Sequence, residues 1–427
     1  MTRLAAALLA LALLPRPASA QADEALQKQI NAAIDKGVEY LKGRQLKDTD
    51  NKGSWPDGTN LVYDGGKAKS SGKMFLATTA LSLLTLLKCG VDPDEDCIRG
   101  GLDWLDKVLP KEYGEVKKGR PDSSIMGHSY HAGILLMMYE ALTAARADKQ
   151  MKADGKDPAK DPRPALKPDA KDLAVIKRIV QWLKDTQSRK GGWRYGPPVW
   201  DTPGGIEEDP SASQIALLGL SSAGRLGVEA GDEVWKEAAT WYLEAQEKNG
   251  PAVKGKAAGA AAGGTYDVRD GDRARGWPYL RRSSDKQEEK VTGSMTACGV
   301  GGLVLCKGAL AKSKLWTKGL AAAVDRAIYD GLAWIDLHYT VDDNPGAVRS
   351  HFYYLYGVER LGTLGNFEKI GAHAWYVDGA KLLVAKQAAG GEWNTHTEIE
   401  PCDIIDTCFA LLFLKRATVP VGVTLTR

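Results

Sequence analysis

Six side chains scattered along this 427-residue chain could carry proton chemistry if the fold brought them together. They are His128, His131, Asp209, His351, Asp403 and Asp406. Carboxylates and imidazoles are the usual general acids and bases. Each of the six stands near the start of a segment rich in small residues and Leu that reads as a helix. Aligning those segments on their small-residue cores places them at one level, together with Ser213 and Thr296. Helix N-termini also favour anions there. The plainer reading of Asp209, Asp403 and Asp406 is that they are helix caps and first-turn acids. His128 and His131 have the i, i+3 spacing that can hold a metal if carboxylates join from elsewhere. Packed histidines are the plainer alternative, His-Glu-x-x-His is absent, and no metal or other cofactor is expected. The chain has no Gly-x-Ser-x-Gly elbow, no phosphate loop and no thioester-forming Gly-Cys-Gly-Glu-Gln.

Aromatic residues offer a second kind of site. Trp outnumbers Phe, 12 against 5. Trp200 sits in the loop Pro197-Pro198-Val199-Trp200-Asp201, and with Trp55, Tyr63, Tyr195 and Tyr353 it could form an aromatic rim for a ligand. Aromatic platforms suit sugar rings and isoprenoid chains alike.

The elements that must position these groups repeat. An apolar helix stripe ends in Trp-Leu or Tyr-Leu, then comes a Gln, then Gly-x-Trp, then a second helix. The clearest copies are Trp182-Leu183…Gln187…Gly191-Gly192-Trp193 and Leu382-Leu383…Gln387…Gly390-Gly391-Glu392-Trp393. Weaker ones are Tyr40-Leu41…Gln45…Gly53-Ser54-Trp55 and Trp241-Tyr242…Gln246…Gly276-Trp277. Apolar residues recurring at i, i+3, i+4 and i+7 trace six helical pairs. The pairs run about 24–45 with 74–87, 97–109 with 126–145, 173–187 with 211–226, 234–246 with 294–310, 321–337 with 351–361, and 373–387 with 403–415. No pair can bury its apolar face alone, so neighbours must stack and the ends must meet. Segments 146–172 and 250–276 read as surface insertions in a single domain covering 21–427.

Residues 1–20 read as a secretory signal: Arg3, an apolar run from Leu4 to Leu14, and a cleavage site at Ala18-Ser19-Ala20. The protein is therefore expected to be exported, periplasmic or secreted. The later segments read as too short or too polar for an integral membrane span. The formal charge of +3 falls to +1 once Arg3 and Arg16 leave with the signal (3 − 2). That balance argues against nucleic-acid binding. Cys89 and Cys97 flank a polar turn and could form a disulfide. Cys298 and Cys306, two helical turns or about 12 Å apart, could not bridge each other.

This grammar resembles the terpene cyclase and protein prenyltransferase superfamily, most closely its exported prenyltransferase and squalene-oxidase repeat proteins. The resemblance implies an all-α fold, an α/α toroid in which the second helix of each pair lines a central cavity. It also implies that the Gln and Trp of each repeat stack and hydrogen-bond, Gln187 with Trp193 and Gln387 with Trp393. Repeats two and five lack the motif and must be tied differently. The six acid-base candidates would then ring the cavity mouth. Squalene–hopene cyclases carry Asp-x-Asp-Asp-Thr, whose central Asp protonates an alkene. Here Asp403-Ile404-Ile405-Asp406-Thr407 puts Ile405 in the donor's place. Asp406-Thr407-Cys408 has the spacing of the prenyltransferase zinc motif, but no later His completes it. The resemblance implies a small apolar ligand, such as an isoprenoid, bound or processed in the cavity. A glycan-degrading toroid and a non-catalytic scaffold with a protein partner are the alternatives.

Overall fold

The computed structural model describes residues 18–47, 50–56, 62–64, 67–69, 75–113, 128–194, 208–254, 265–266, 269–279, 290–394 and 403–420. Its helices are α1 (Ala18–Gly43), α2 (Phe75–Lys88), α3 (Asp96–Glu112), α4 (Ser129–Ala153), α5 (Ala170–Thr186), α6 (Pro210–Arg225), α7 (Asp232–Ala245), α8 (Gly293–Leu310), α9 (Lys318–Leu337), α10 (His351–Gly365), α11 (Trp375–Lys386) and α12 (Asp403–Leu414). Sheet is confined to two short pairs among the described residues, β1 (Val62–Asp64) with β2 (Lys67–Lys69) and β3 (Thr265–Tyr266) with β4 (Lys369–Ile370). The protein is all-α, as the periodicity predicts. The main difference lies at residue 146: α4 continues two turns past it to Ala153, so the first insertion begins as helix.

The two helices of most pairs differ in kind. In α2 every residue from Phe75 to Leu87 is buried, and in α8 burial is continuous from Gly293 to Cys306. Most first helices bury one stripe, in α5 Val175, Ile176, Ile179, Val180 and Leu183; α9 is the exception, buried continuously from Ala327 to Ile335. A helix apolar all round must be enclosed, whereas a striped one can lie outside. The contacts follow suit. α2 packs on α4, α4 on α6, α6 on α8, α8 on α10, α10 on α12, and α12 returns to α2. The first helices lie over the joints: α5 touches α4 and α6, α7 touches α6 and α8, and α1 touches α2 and α12. α8 is long and apolar enough by length and composition to span a membrane, contrary to the sequence reading, but it is packed inside the protein.

Gln and Trp tie one pair to the next, though not through each other. The Trp indole N–H donates backward to the end of its own first helix: Trp55 to Leu41 O (2.7 Å), Trp193 to Leu183 O (2.9 Å), Trp277 to Tyr242 O (2.9 Å) and Trp393 to Leu383 O (2.8 Å). The Gln amide reaches forward to the next first helix: Gln45 to Cys97 O (2.8 Å), Gln187 to Val234 O (3.0 Å), Gln246 to Ala327 O (3.0 Å) and Gln387 to Ala33 O (2.8 Å). The last of these joins the final repeat to α1. The same closure explains two helical glycines. A Cβ on Gly101 would lie 3.0 Å from the Trp55 ring, and one on Gly37 would lie 3.0 Å from the Trp393 ring.

The repeats without the motif are tied otherwise. Asn344 in the fifth takes the Ser294 N–H on its carbonyl (2.9 Å) and donates to Ser294 Oγ (3.0 Å) and Arg349 O (2.9 Å). In the second, the buried Tyr113 sets its ring edge-on to Trp182 at 5.7 Å. Cys89 and Cys97, whose spacing allows a disulfide, are free thiols. Burial pushes the Cys89 thiol up to about 12.

Candidate functional site

The starts of α2, α4, α6, α8, α10 and α12 converge on a cavity of about 770 Å³. Its walls include Ala77 and Leu81 of α2, Tyr130 and Ile134 of α4, Ser211 of α6, Met295 of α8, Tyr353 of α10, and Ile405 and Phe409 of α12. Arg349, exposed to solvent, stands at the mouth with Asn344 and Ser350. Ser350 holds the left-handed backbone region (φ 62°), which non-glycine residues rarely adopt and which tends to occur at functional sites.

The opposite end of the six helices is closed. A space of only about 30 Å³ remains there, between Lys88, Glu140, Leu218, Arg225, Leu305, Tyr356 and Leu412. Glu140 and Arg225 are ion-paired across it. The chain from Ala417 to Val419 lies over this end, and Thr418 donates through its hydroxyl to the buried Glu359 (2.6 Å).

Of the six acid-base candidates, His128 and Asp406 line the cavity. His131 lies behind His128, 4% exposed, with its ring stacked on that of His128 at 4.6 Å. Burial drives His128 down to about 4, helped by the Arg194 charge, and drives His131 down to about 3. Both rings are therefore neutral near pH 7, and His128 uses Nδ1 to cap α4 by accepting the Tyr130 N–H (3.2 Å). No group of three or more His, Cys, Asp or Glu placed to hold a metal occurs among the described residues.

Asp209 is fully buried behind the wall. Its Oδ1 accepts the N–H groups of Ser211 (2.9 Å) and Ala212 (2.8 Å) and the Ser211 hydroxyl (2.7 Å), and its Oδ2 takes Arg194 Nη1 (2.8 Å). Burial raises its pKa while those donors pull the other way. It caps α6 and touches the cavity only through Ser211. His351 turns its ring onto Val341 O (2.8 Å), and burial lowers its pKa. Asp403 takes a hydrogen bond from Asn394. Neither His351 nor Asp403 is on the cavity wall.

Ser213 and Thr296 are tie residues. With Thr79 and Thr407, their hydroxyls accept the main-chain N–H of the repeat tryptophans at 2.9–3.3 Å. Trp55 is completely buried in its tie and offers no face to a ligand, so its place in an aromatic rim falls. Tyr195 and Trp200 lie outside the described residues, and of Tyr63 only the backbone is described. Tyr353 lines the cavity, its hydroxyl 3.3 Å from Cys298 Sγ and its ring edge-on to Phe409 at 5.4 Å.

Ile405 faces the cavity from the place where the cyclase motif has its proton donor, and Asp406 lines it too. A one-residue step turns a side chain by about 100°. Both reach the space because it wraps around the first turn of α12. Sequence reasoning passed over Tyr130, although it lies between two chosen histidines. It also passed over Ser211, Met295, Phe409 and Arg349, whose types carry no signal of their own.

No family model and no curated protein matches the chain. Among solved structures it is similar, over 92% of its length, to the type II terpene cyclase MstE from Scytonema. Three structures of that enzyme match: two single-site variants, one apo and one in complex with geranylgeranyl dihydroxybenzoate as substrate, and the apo form without either change. Each match covers 98–99% of the cyclase chain at 13% identity, with a TM-score of 0.30.

Proposed function

We propose that the chain is an exported α/α toroid of the cyclase and prenyltransferase repeat kind whose central cavity takes an apolar ligand of isoprenoid size. The cavity itself carries this reading. It is closed at one end and walled by Leu81, Ile134, Met295, Ile405 and Phe409 with the Tyr130 and Tyr353 rings, and its volume of about 770 Å³ falls in the usual range for small-molecule sites, about 300–1,000 Å³. Glycan hydrolysis by paired carboxylates needs a second acid across from the first. Asp406 is the one Asp or Glu among the described lining residues. Alkene protonation at the Ile405 position is not part of the proposal, because Ile has no proton to give.

Native mass spectrometry with geranylgeraniol, squalene and cello-oligosaccharides tests the reading. Binding of an isoprenoid, lost in Ala77→Trp without loss of the helical circular-dichroism signal, is the expected result. Saccharide binding in its place, or isoprenoid binding indifferent to Ala77→Trp, would refute it.

A further inference from the structure

A buried positive charge lies under the inner end of the cavity. The deepest wall residues, Leu81, Ile134 and Phe409, stand in the second turn of their helices. Arg360 stands in the third turn of α10 and is completely buried. A long helical side chain leans back toward the helix N-terminus, here toward the cavity. The Arg360 guanidinium carbon lies 5.2 Å from the centroid of the Tyr353 ring and 4.3 Å from that of Tyr356. Tyr353 is on the cavity wall and Arg360 is not, so the guanidinium acts on the cavity through that ring.

No counter-charge cancels it. No carboxylate bonds to the Arg360 nitrogens among the described residues. Glu359, its neighbour in sequence, is turned to Thr418 and Thr363, and burial pushes its pKa up to about 7. The Cys298 thiol beside Arg360 stays protonated, its pKa pushed up to about 11 by burial. Tyr279, also on the wall, has the Arg194 guanidinium over its ring at 5.0 Å, but Arg194 is paired with Asp209. Asp406 pulls the other way from the first turn of α12, nearer the mouth than Phe409. An aromatic face attracts a cation through its quadrupole, and at Tyr353 Arg360 already takes up that attraction. A second cation on the cavity side of the ring meets the repulsion of the first.

We infer that Arg360 bars positive charge from the inner end of the cavity, so that the site takes its isoprenoid-sized chain as a neutral molecule and opposes any reaction that develops positive charge along it. The inference rests on the apolar-ligand reading above and deepens it: the ligand class becomes a neutral chain, held unreacted.

The full-length protein is titrated calorimetrically with geranylgeraniol and with an ammonium analogue of it. In the analogue one mid-chain carbon is replaced by an N-methyl nitrogen, protonated at pH 7, so that neither orientation brings the charge out to the mouth. Arg360→Met keeps the length of the side chain and drops its charge. It should tighten binding of the ammonium analogue about tenfold, the weight of one unit charge acting across a ring, and leave geranylgeraniol within about twofold. Arg360→Lys keeps the charge and should leave the analogue as weak as in the unaltered protein. A buried charge without a partner costs stability, so Arg360→Met should melt no lower than the unaltered protein. No gain for the analogue in Arg360→Met, or an equal gain in Arg360→Lys, overturns the inference and leaves the cavity reading standing. So does an Arg360→Met protein that melts lower or fails to fold, because the charge would then be holding the structure together. Failure of geranylgeraniol to bind the unaltered protein overturns the cavity reading and the inference with it.

Discussion

Gln387→Met should cost as much stability as Gln187→Met, although one lies in the last repeat and the other in the middle of the chain. Gln387 Nε2 donates to Ala33 O (2.8 Å) and Gly391 O (2.9 Å); Gln187 Nε2 donates to Val234 O (3.0 Å) and Gly191 O (2.8 Å). Met keeps the length and volume of the side chain and removes both donors. A typical intramolecular hydrogen bond contributes about 1 kcal/mol net, and the bonds are buried at Gln187 and partly buried at Gln387. Ala33 O and Val234 O lie inside helices and keep their helical partners, so neither is orphaned, and each substitution should cost about 2 kcal/mol. With an unfolding entropy of about 2.1 cal/mol/K per residue, a chain of this length loses about 2–3 °C in Tm. Differential scanning calorimetry of the two variants is the assay. In a stack that does not close, the last repeat is held from one side only and its outward tie supports little. A silent Gln387→Met beside a destabilising Gln187→Met would refute ring closure.

The buried His pair should make stability fall with acid. Both folded pKa values lie below the unfolded 6.5, so the unfolded chain takes up protons first. Stability is full above pH 6.5 and is lost as pH falls toward about 4 and then 3. At pH 5 each ring contributes about 2 kcal/mol to that loss, so His131→Leu should about halve the slope in urea titrations between pH 5 and 6.5, and an unchanged slope would count against the burial. Asp209→Ala removes the α6 cap and the Arg194 partner. It should cost about 3–5 kcal/mol, with Asp209→Asn milder because an amide oxygen can still accept from Ser211 and Ala212; equal losses would refute the cap contribution. Incubation with squalene should give no pentacyclic product, and robust product that vanishes in Asp406→Asn would overturn the argument from Ile405. Material secreted or recovered from a periplasm should begin at Gln21, which N-terminal sequencing checks.

Much of the scaffold was legible because its signals are local. The spacing of Val175, Ile176, Ile179 and Leu183 marks a half-buried helix, and the unbroken apolar run of α2 marks an enclosed one. The end of α4 was misplaced by two turns because charged residues such as Arg146, Asp148 and Lys149 continue a helix as readily as they form a loop. Trp55, Trp193, Trp277 and Trp393 stood out by motif, but their partners were wrong: indole and amide meet main-chain carbonyls, not each other. The site was less legible. Asp209, Asp406 and Asp403 look alike as first-turn acids, yet one is walled off behind Ser211, one lines the cavity and one is held by Asn394.

The amino-acid order alone determined the helix count, the pairing and the need for cover, since hydrophobic period and helix-ending Gln and Gly act over a few residues. Only the packed ring decided which side chains see the cavity. Whether Tyr130 faces inward and His351 turns away depends on the rotation of each helix against its neighbours. That rotation is set by contacts between residues far apart in the chain, such as Tyr130 with Ser211 and Trp393 with Gly37.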